Sequence, residues 1–278
     1  MTGSAGVGVR CDGVVHIYPA SGEGLDDVVA LRGIDLDIDP GEFVALLGPS
    51  GSGKSTVLGL LAGVLRPSAG RVLIGAHDIG RMAPRALARL RGSVVALVLQ
   101  NPARNLLAYA TARQNVAFAA GPSSASSGEL LERLGLTALA DRVAGQLSGG
   151  EQQCVAIAAA LSSGAQLVLA DEPTSQLDAA GRERVMELLA QVHADFGRTV
   201  VLVTHDLSVA ARSARTVTIR DGRVGSEGVH GRDYAVVGRD GSLQLPPELC
   251  EEFPPGTLLE VRRDGRDVTL RPRAEESR

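Results

Sequence analysis

The chain has 278 residues, 44% of them apolar and 22% charged, with a net charge of −4. That is enough for one large core and a small extra module, and too even a charge balance to draw the protein globally toward nucleic acid or anionic lipid. No apolar run approaches the roughly 20 residues of a membrane-spanning helix, and Cys11, Cys154 and Cys250, odd in number and without ligand-like spacing, argue against a disulfide framework or a zinc site.

In chain order, Met1 to Asp12 lack the basic start and apolar stretch of an export signal, so a cytoplasmic protein is expected. Val9 to Ile38 is rich in strand formers. The run Glu42 to Leu47 then reads as a buried strand, and Val57 to Leu65, apolar and proline-free, as a helix. Between them lies Gly48-Pro49-Ser50-Gly51-Ser52-Gly53-Lys54-Ser55-Thr56, which fits the phosphate-loop pattern of Gly, four residues, then Gly-Lys-Ser/Thr. Glycines let successive backbone N–H groups turn toward phosphate oxygens, and the following helix start adds partial positive charge. Lys54 would hold the β and γ phosphates of a nucleotide, and Ser55 would ligate magnesium. Lys54 is also the only lysine among 28 basic residues, so this position resists the chain's bias toward arginine.

Arg71 to Ile74 and Val94 to Leu99 read as further strands. Residues 101 to 164 are poor in strand signals and are expected to be helical, with Ser123 to Gly128 as a polar loop. Near the end of that stretch comes Leu147-Ser148-Gly149-Gly150-Glu151-Gln152-Gln153. Ser148 with Glu151 is a capping box, but two glycines in a first turn cost roughly 1 kcal/mol each against alanine. They suit a backbone closely approached by an anion. Leu167 to Glu172 is an apolar strand ending in two carboxylates: Asp171 would support the magnesium ion, and Glu172 could polarise a water for attack on the γ-phosphate. Val200 to Val203 and Thr216 to Ile219 supply late strands, and Asp221-Gly222 a turn.

With these motifs in this order, residues 7 to 225 resemble the ATP-binding cassette of transporter proteins, and most closely the lipoprotein-release and macrolide-export branch. Asn101 to Val116 is less typical of that branch. The resemblance implies an α/β fold: a P-loop NTPase core with a mixed sheet and an inserted helical subdomain. It implies ATP and Mg2+ as ligands, with Tyr18 stacking on adenine, Gln100 touching magnesium and linking to the membrane partner, and His205 contacting the γ-phosphate. Ser175-Gln176-Leu177-Asp178 resembles the loop that meets the opposite subunit. Expected catalytic residues are then Glu172, His205, Lys54 and Gln100, and expected metal ligands are Ser55, Gln100 and Asp171. Nucleotide binding is expected from Tyr18, Gly48 to Thr56, and Ser148, Gly149, Gly150 and Glu151, the last four acting on the ATP of a second copy in a head-to-tail homodimer. Cys154 and Ala159 stand where the family usually carries arginines, which bears on how the helix after Ser148 is braced.

The implied function is ATP hydrolysis that powers transport, export above all, through a separate membrane-spanning permease subunit, with the chain peripheral on the inner face of the membrane. The alternative is the same motor driving a non-transport membrane complex, such as one that activates cell-wall enzymes. A soluble role on nucleic acid or ribosomes is disfavoured, because the chain has one cassette and no coiled-coil or zinc insertion.

The cassette is expected to span residues 1–228 and a small β-hairpin/helix module residues 229–278. Tyr234 to Val237 and Leu243 to Leu245 flank Asp240-Gly241, Pro246 to Leu249 opens a helix, and Leu258 to Val261 and Val268 to Leu270 flank Asp264-Gly265. This pattern resembles the swapped-hairpin domain of transition-state regulators. Nine arginines against eleven acids in residues 222–278 leave no basic footprint. A dimerisation or docking tail is therefore expected, and DNA binding is not.

Overall fold

Apolar residues in unbroken short runs cannot leave either face of a strand in water, so such strands must lie inside a sheet covered on both sides. The computed structural model shows this arrangement; it describes residues 6–20, 26–121, 126–229, 232–239, 241–245, 249, 252–253, 257–265 and 267–272. The first two strands, β1 (Val9–Tyr18) and β2 (Val28–Ile38), pair antiparallel and join β4 (Ala69–Ile74) and β5 (His77–Asp78) in a four-stranded sheet of order β2-β1-β4-β5.

The larger sheet contains β3 (Phe43–Leu47), β6 (Val95–Val98), β7 (Leu167–Asp171), β8 (Thr199–Thr204), β9 (Arg215–Arg220), β10 (Arg223–Val229) and β11 (Arg232–Ala235). Its order is β11-β10-β9-β3-β8-β7-β6, parallel from β9 to β6 and antiparallel at the β10 and β11 edge. Side-chain alternation divides the core. Val168, Ala170, Val200 and Leu202 face one apolar cluster, while Leu167, Leu169, Val201 and Val203 face the other.

The second cluster is closed by α1 (Lys54–Leu61) and the antiparallel sheet. α1 is shorter than its apolar run, because Gly63 turns the chain at φ +63°. The first cluster is closed by α3 (Ala112–Ala119), α4 (Ser127–Arg133), α5 (Gly149–Ser162) and α6 (Ala179–Ala194). α2 (Pro84–Ser93) adds Leu87 and Leu90 to the second cluster, and the short α7 (Leu207–Ala210) adds Val209 to the first. Of the expected polar loop Ser123 to Gly128, Ser127 and Gly128 belong instead to α4. Ser126 caps that helix reciprocally with Glu129, a capping box that overrides the loop-like composition. Residues 122–125 are outside the described set.

In the tail, Tyr234 pairs with Glu227 of β10, so the segment forms the outer strand of the large sheet. The hairpin expected around Asp240-Gly241 is reduced to a single bridge, Val237 with Leu243, because the preceding residues are already committed to β10. Of the helix expected from Pro246, Pro246 to Glu248 lie outside the described residues, while Leu249 and Glu252 are helical and the Phe253 N–H donates to the Leu249 carbonyl at 2.8 Å. β12 (Leu259–Asp264) and β13 (Asp267–Pro272) form a separate two-stranded hairpin. Among the described residues no helix is long and apolar enough to cross a membrane.

Candidate functional site

Strand registers decide where the polar residues meet. Leu47 is level with Thr204, Asp171 with Val203, and Val98 with Ala170. Four parallel strands therefore end along one edge, and the residues that follow them, the glycine loop, Gln100, Glu172 and His205, emerge there together. Carboxyl ends of parallel strands are where such sheets bind ligands.

The glycine loop is built by steric necessity at two points. Gly48 has φ +154°, and a Cβ there would lie 2.2 Å from the Ile219 carbonyl oxygen. Gly53, the residue before α1, has φ +104°, and its Cβ would meet the Leu31 side chain at 2.7 Å. Lys54 is buried, and its Nζ donates to the carbonyls of Gly48 at 2.7 Å and Pro49 at 2.8 Å. Burial holds its ammonium below the usual lysine range, opposed by Glu172 and Asp171. Inside the loop the Ser52 hydroxyl is buried with no hydrogen-bond partner. An unpaired buried hydroxyl costs about 1–3 kcal/mol, and a phosphate oxygen seated in the loop is the acceptor that would relieve it.

Ser55 Oγ donates to Asp171 Oδ1 at 3.3 Å. Burial pushes the Asp171 carboxyl above the usual range, with the Ser55 bond opposing. Two hard oxygen donors this close, one a carboxylate deprived of solvent, fit a magnesium ion in donor chemistry and charge. Glu172 is held at φ +46°, in the left-handed region that non-glycine residues rarely occupy. Its N–H donates to Val203 O at 2.9 Å, fixing the turn to β8. His205 Nδ1 lies 2.8 Å from Glu172 Oε1, so Nε2 is the nitrogen left for another partner.

Gln100 donates from Nε2 to Ser175 Oγ at 3.1 Å, and Ser175 Oγ donates to the Glu172 carbonyl at 3.0 Å. Tyr18, at the end of β1, is 40% exposed; its hydroxyl is 3.2 Å from Thr56 Oγ1 and its ring stands edge-on to His16. An aromatic thus stands over the start of α1 with enough open surface to take a planar base.

The expected signature forms a complete cap of its own. Ser148 Oγ accepts from the Glu151 N–H at 3.3 Å, Glu151 Oε2 accepts from the Ser148 N–H at 2.8 Å, and Arg142 binds the other carboxylate oxygen at 2.8 Å. Among the described residues none of Ser148, Gly149, Gly150 and Glu151 is hydrogen-bonded to the glycine loop of the same chain. The structure also supplies a reason for Gly150 within the chain: its Cβ would lie 3.0 Å from the Gly181 Cα on α6. Cys154 is fully buried, and burial pushes its thiol up to about 11, with the Arg184 charge of α6 opposing. α5 is braced by packing on α6 within the same apolar cluster.

Arg142 and the roles of Ser175 and Gln153 were not legible in the sequence, since their contacts with Glu151, Gln100 and Leu99 span 9 or more positions. Only the position of Ser175, within the loop after the acidic strand, gave a signal.

A parallel-stranded sheet with a glycine loop, an acidic strand end and a histidine at one edge, joined to a helical subdomain with a capped glycine-rich helix start, defines a nucleotide-binding cassette of the P-loop class. Comparison with known proteins agrees: the family model described as ABC transporter matches residues 31–175. The chain is 44% identical over 213 residues to the lipoprotein-releasing system ATP-binding protein LolD of Anaeromyxobacter dehalogenans, covering 74% of this chain and 88% of that protein. It is 39% identical over 261 residues to the macrolide export ATP-binding/permease protein MacB of Chromobacterium violaceum, covering 90% of this chain but 40% of MacB, so it spans well under half of that relative. A solved dimer of the ATP-binding cassette MJ0796 in a post-hydrolysis state, bound to ADP and Pi, superposes with a TM-score of 0.70 at 34% identity, covering 81% of this chain and all of that one. The chain belongs to the ABC transporter family, as an ATPase cassette.

Proposed function

We propose that this chain hydrolyses ATP to drive export through a separate membrane-spanning permease, working as one half of a head-to-tail homodimer on the inner face of the membrane. The observation that carries the reading is the convergence of Lys54, Ser55, Asp171, Glu172 and His205 on one sheet edge. Lys54 and the loop N–H groups hold the β and γ phosphates, and Tyr18 stacks on the adenine. Magnesium, held by Ser55 and Asp171 with Gln100, would neutralise phosphate charge. Glu172 takes a proton from a water as its oxygen bonds to the γ-phosphorus and the bridging oxygen leaves with ADP. His205 fixes the Glu172 carboxylate through Nδ1 and offers Nε2 to the γ-phosphate. Ser148 and the start of α5 complete the anion site on the second copy, which is consistent with a signature cap that engages nothing in its own chain's glycine loop.

Relatives named for macrolide export carry an ATP-binding part and a permease in one protein. A groove of about 360 Å³ lined by Ala96, Leu97, Asn105, Ala119, Ala156 and Ala159 lies beside the segment carrying Gln100 and suits a helix of that partner. The β12–β13 hairpin, beyond the outer strand of the large sheet, serves dimerisation or partner docking. Val261 and Leu270 face each other on one apolar side of the β12–β13 hairpin, and Val261 and Val268 are exposed among the described residues; an isolated hairpin is marginal in water, which supports a covering partner such as a second copy.

The test is phosphate release by the purified protein with ATP and Mg2+. Release equal in the parent and in Glu172→Gln would overturn the hydrolytic reading.

A further inference from the structure

Gln153 is fully buried in α5, one turn past Ser148. Its Nε2 donates to the Leu99 carbonyl at 3.2 Å, while its Oε1 is buried without a partner. A half-satisfied buried amide is costly where an aliphatic side chain of like size would not be. Packing alone therefore gives no reason for glutamine here, and the bond to Leu99 does.

The other side of Leu99 is held as well. Its N–H donates to Asn105 Oδ1 at 2.9 Å, and Asn105 Nδ2 donates to the Leu97 carbonyl at 2.8 Å. Asn105 is set in place by the short turn Pro102–Arg104, its N–H bonded to the Pro102 carbonyl at 2.9 Å. The Leu99 carbonyl and the Gln100 N–H share one planar peptide. Gripping that carbonyl therefore orients the backbone of Gln100, whose side chain reaches Ser175 and through it the Glu172 carbonyl.

We propose that Gln153 and Asn105 are positioning residues for Gln100, clamping Leu99 on both sides: Gln153 from α5 on the carbonyl of the Leu99–Gln100 peptide, and Asn105, from the segment after β6, on the N–H of the peptide before it. Any displacement of α5, whose first turn carries Ser148, is then transmitted through Leu99 and Gln100 to the backbone of Glu172. This inference rests on the hydrolytic reading of Glu172 and Gln100 given above.

The test is a double-mutant cycle in the full chain, read as steady-state phosphate release. Gln153→Met keeps the length of the side chain and removes the donor. We expect kcat to fall about 10-fold with the KM for ATP changed by less than about 2-fold, and the pair Gln153→Met/Gln100→Ala to be no slower than Gln100→Ala alone. Asn105→Ala should behave in the same way, and it carries the cycle if Gln153→Met fails to fold. Losses that multiply in the double variant, a KM that rises as kcat falls, or an unchanged kcat in folded Gln153→Met would overturn the clamp. Parental turnover in Gln100→Ala would instead overturn the role of Gln100 itself, which separates the two failures.

Discussion

Nδ1 of His205 lies 2.8 Å from Oε1 of Glu172, although the two residues leave different strands, 33 positions apart. Glu172 is the better buried of the pair, with 16% of its side chain exposed against 62% for His205. The glutamate is thus fixed by its turn at φ +46° and by the imidazole, while the histidine keeps an open side. Such an arrangement aims a carboxylate at one point and leaves a second polar group free to meet whatever occupies it.

Glu172→Gln keeps the shape and the contact with His205 but removes the base. Phosphate release should fall by about 100-fold or more while ATP binding persists. With ATP present, the variant should elute as a stable dimer in size-exclusion chromatography with light scattering. A monomer under those conditions would contradict the sandwich.

Lys54→Ala removes the buried ammonium that lies against the Gly48 and Pro49 carbonyls. A charge-assisted contact to phosphate is worth about 1.5–3 kcal/mol, so nucleotide affinity should weaken by roughly 10- to 100-fold or more. Equilibrium binding of a fluorescent ATP analogue measures this. Equal affinity in parent and variant would remove the phosphate cradle from the account.

Gly150→Ala sets two effects against each other. Helix propensity favours alanine by about 1 kcal/mol, but the added Cβ would press on the Gly181 backbone at 3.0 Å, where no flexible side chain can give way. Overpacking costs about 1–3 kcal/mol, so the net change should be destabilising. Urea denaturation monitored by circular dichroism decides the sign, and a more stable variant would show that α5 and α6 part freely.

Cys11 and Cys154 should be inert in the folded protein. Burial pushes their thiols up to about 12 and about 11, and the thiolate is the reactive form. A chromogenic thiol reagent at neutral pH should label at most one of the three cysteines before denaturation and all three afterwards. Rapid labelling of two thiols in the native state would contradict the packing around α5 or β1.

Much of the cassette was legible because its signals are local. Glu42 to Leu65 announces strand, loop and helix within 24 consecutive residues, and Leu167 to Glu172 announces a buried strand with acids at its end. Ser126 with Glu129 carried an equally local signal, a capping box, but polar composition masked it. Gly150 looked like a concession to an anion; its neighbour Gly181 is 31 positions away, and no spacing rule connects them. The tail segment at Tyr234 carried alternation suited to a hairpin, yet alternation fixes only which side chains share a face and cannot choose the strand that supplies the hydrogen bonds. β10 took that place.

The sequence by itself determined the elements and the chemistry of the phosphate loop, because backbone sterics and side-chain type act within a few residues. Only the tertiary structure decided that Glu172 meets His205, that Gln153 grips Leu99, and that four strand ends align on one edge. Those relationships depend on parallel-strand register and helix packing, which bring distant residues within hydrogen-bonding reach and leave no mark in the spacing of the chain.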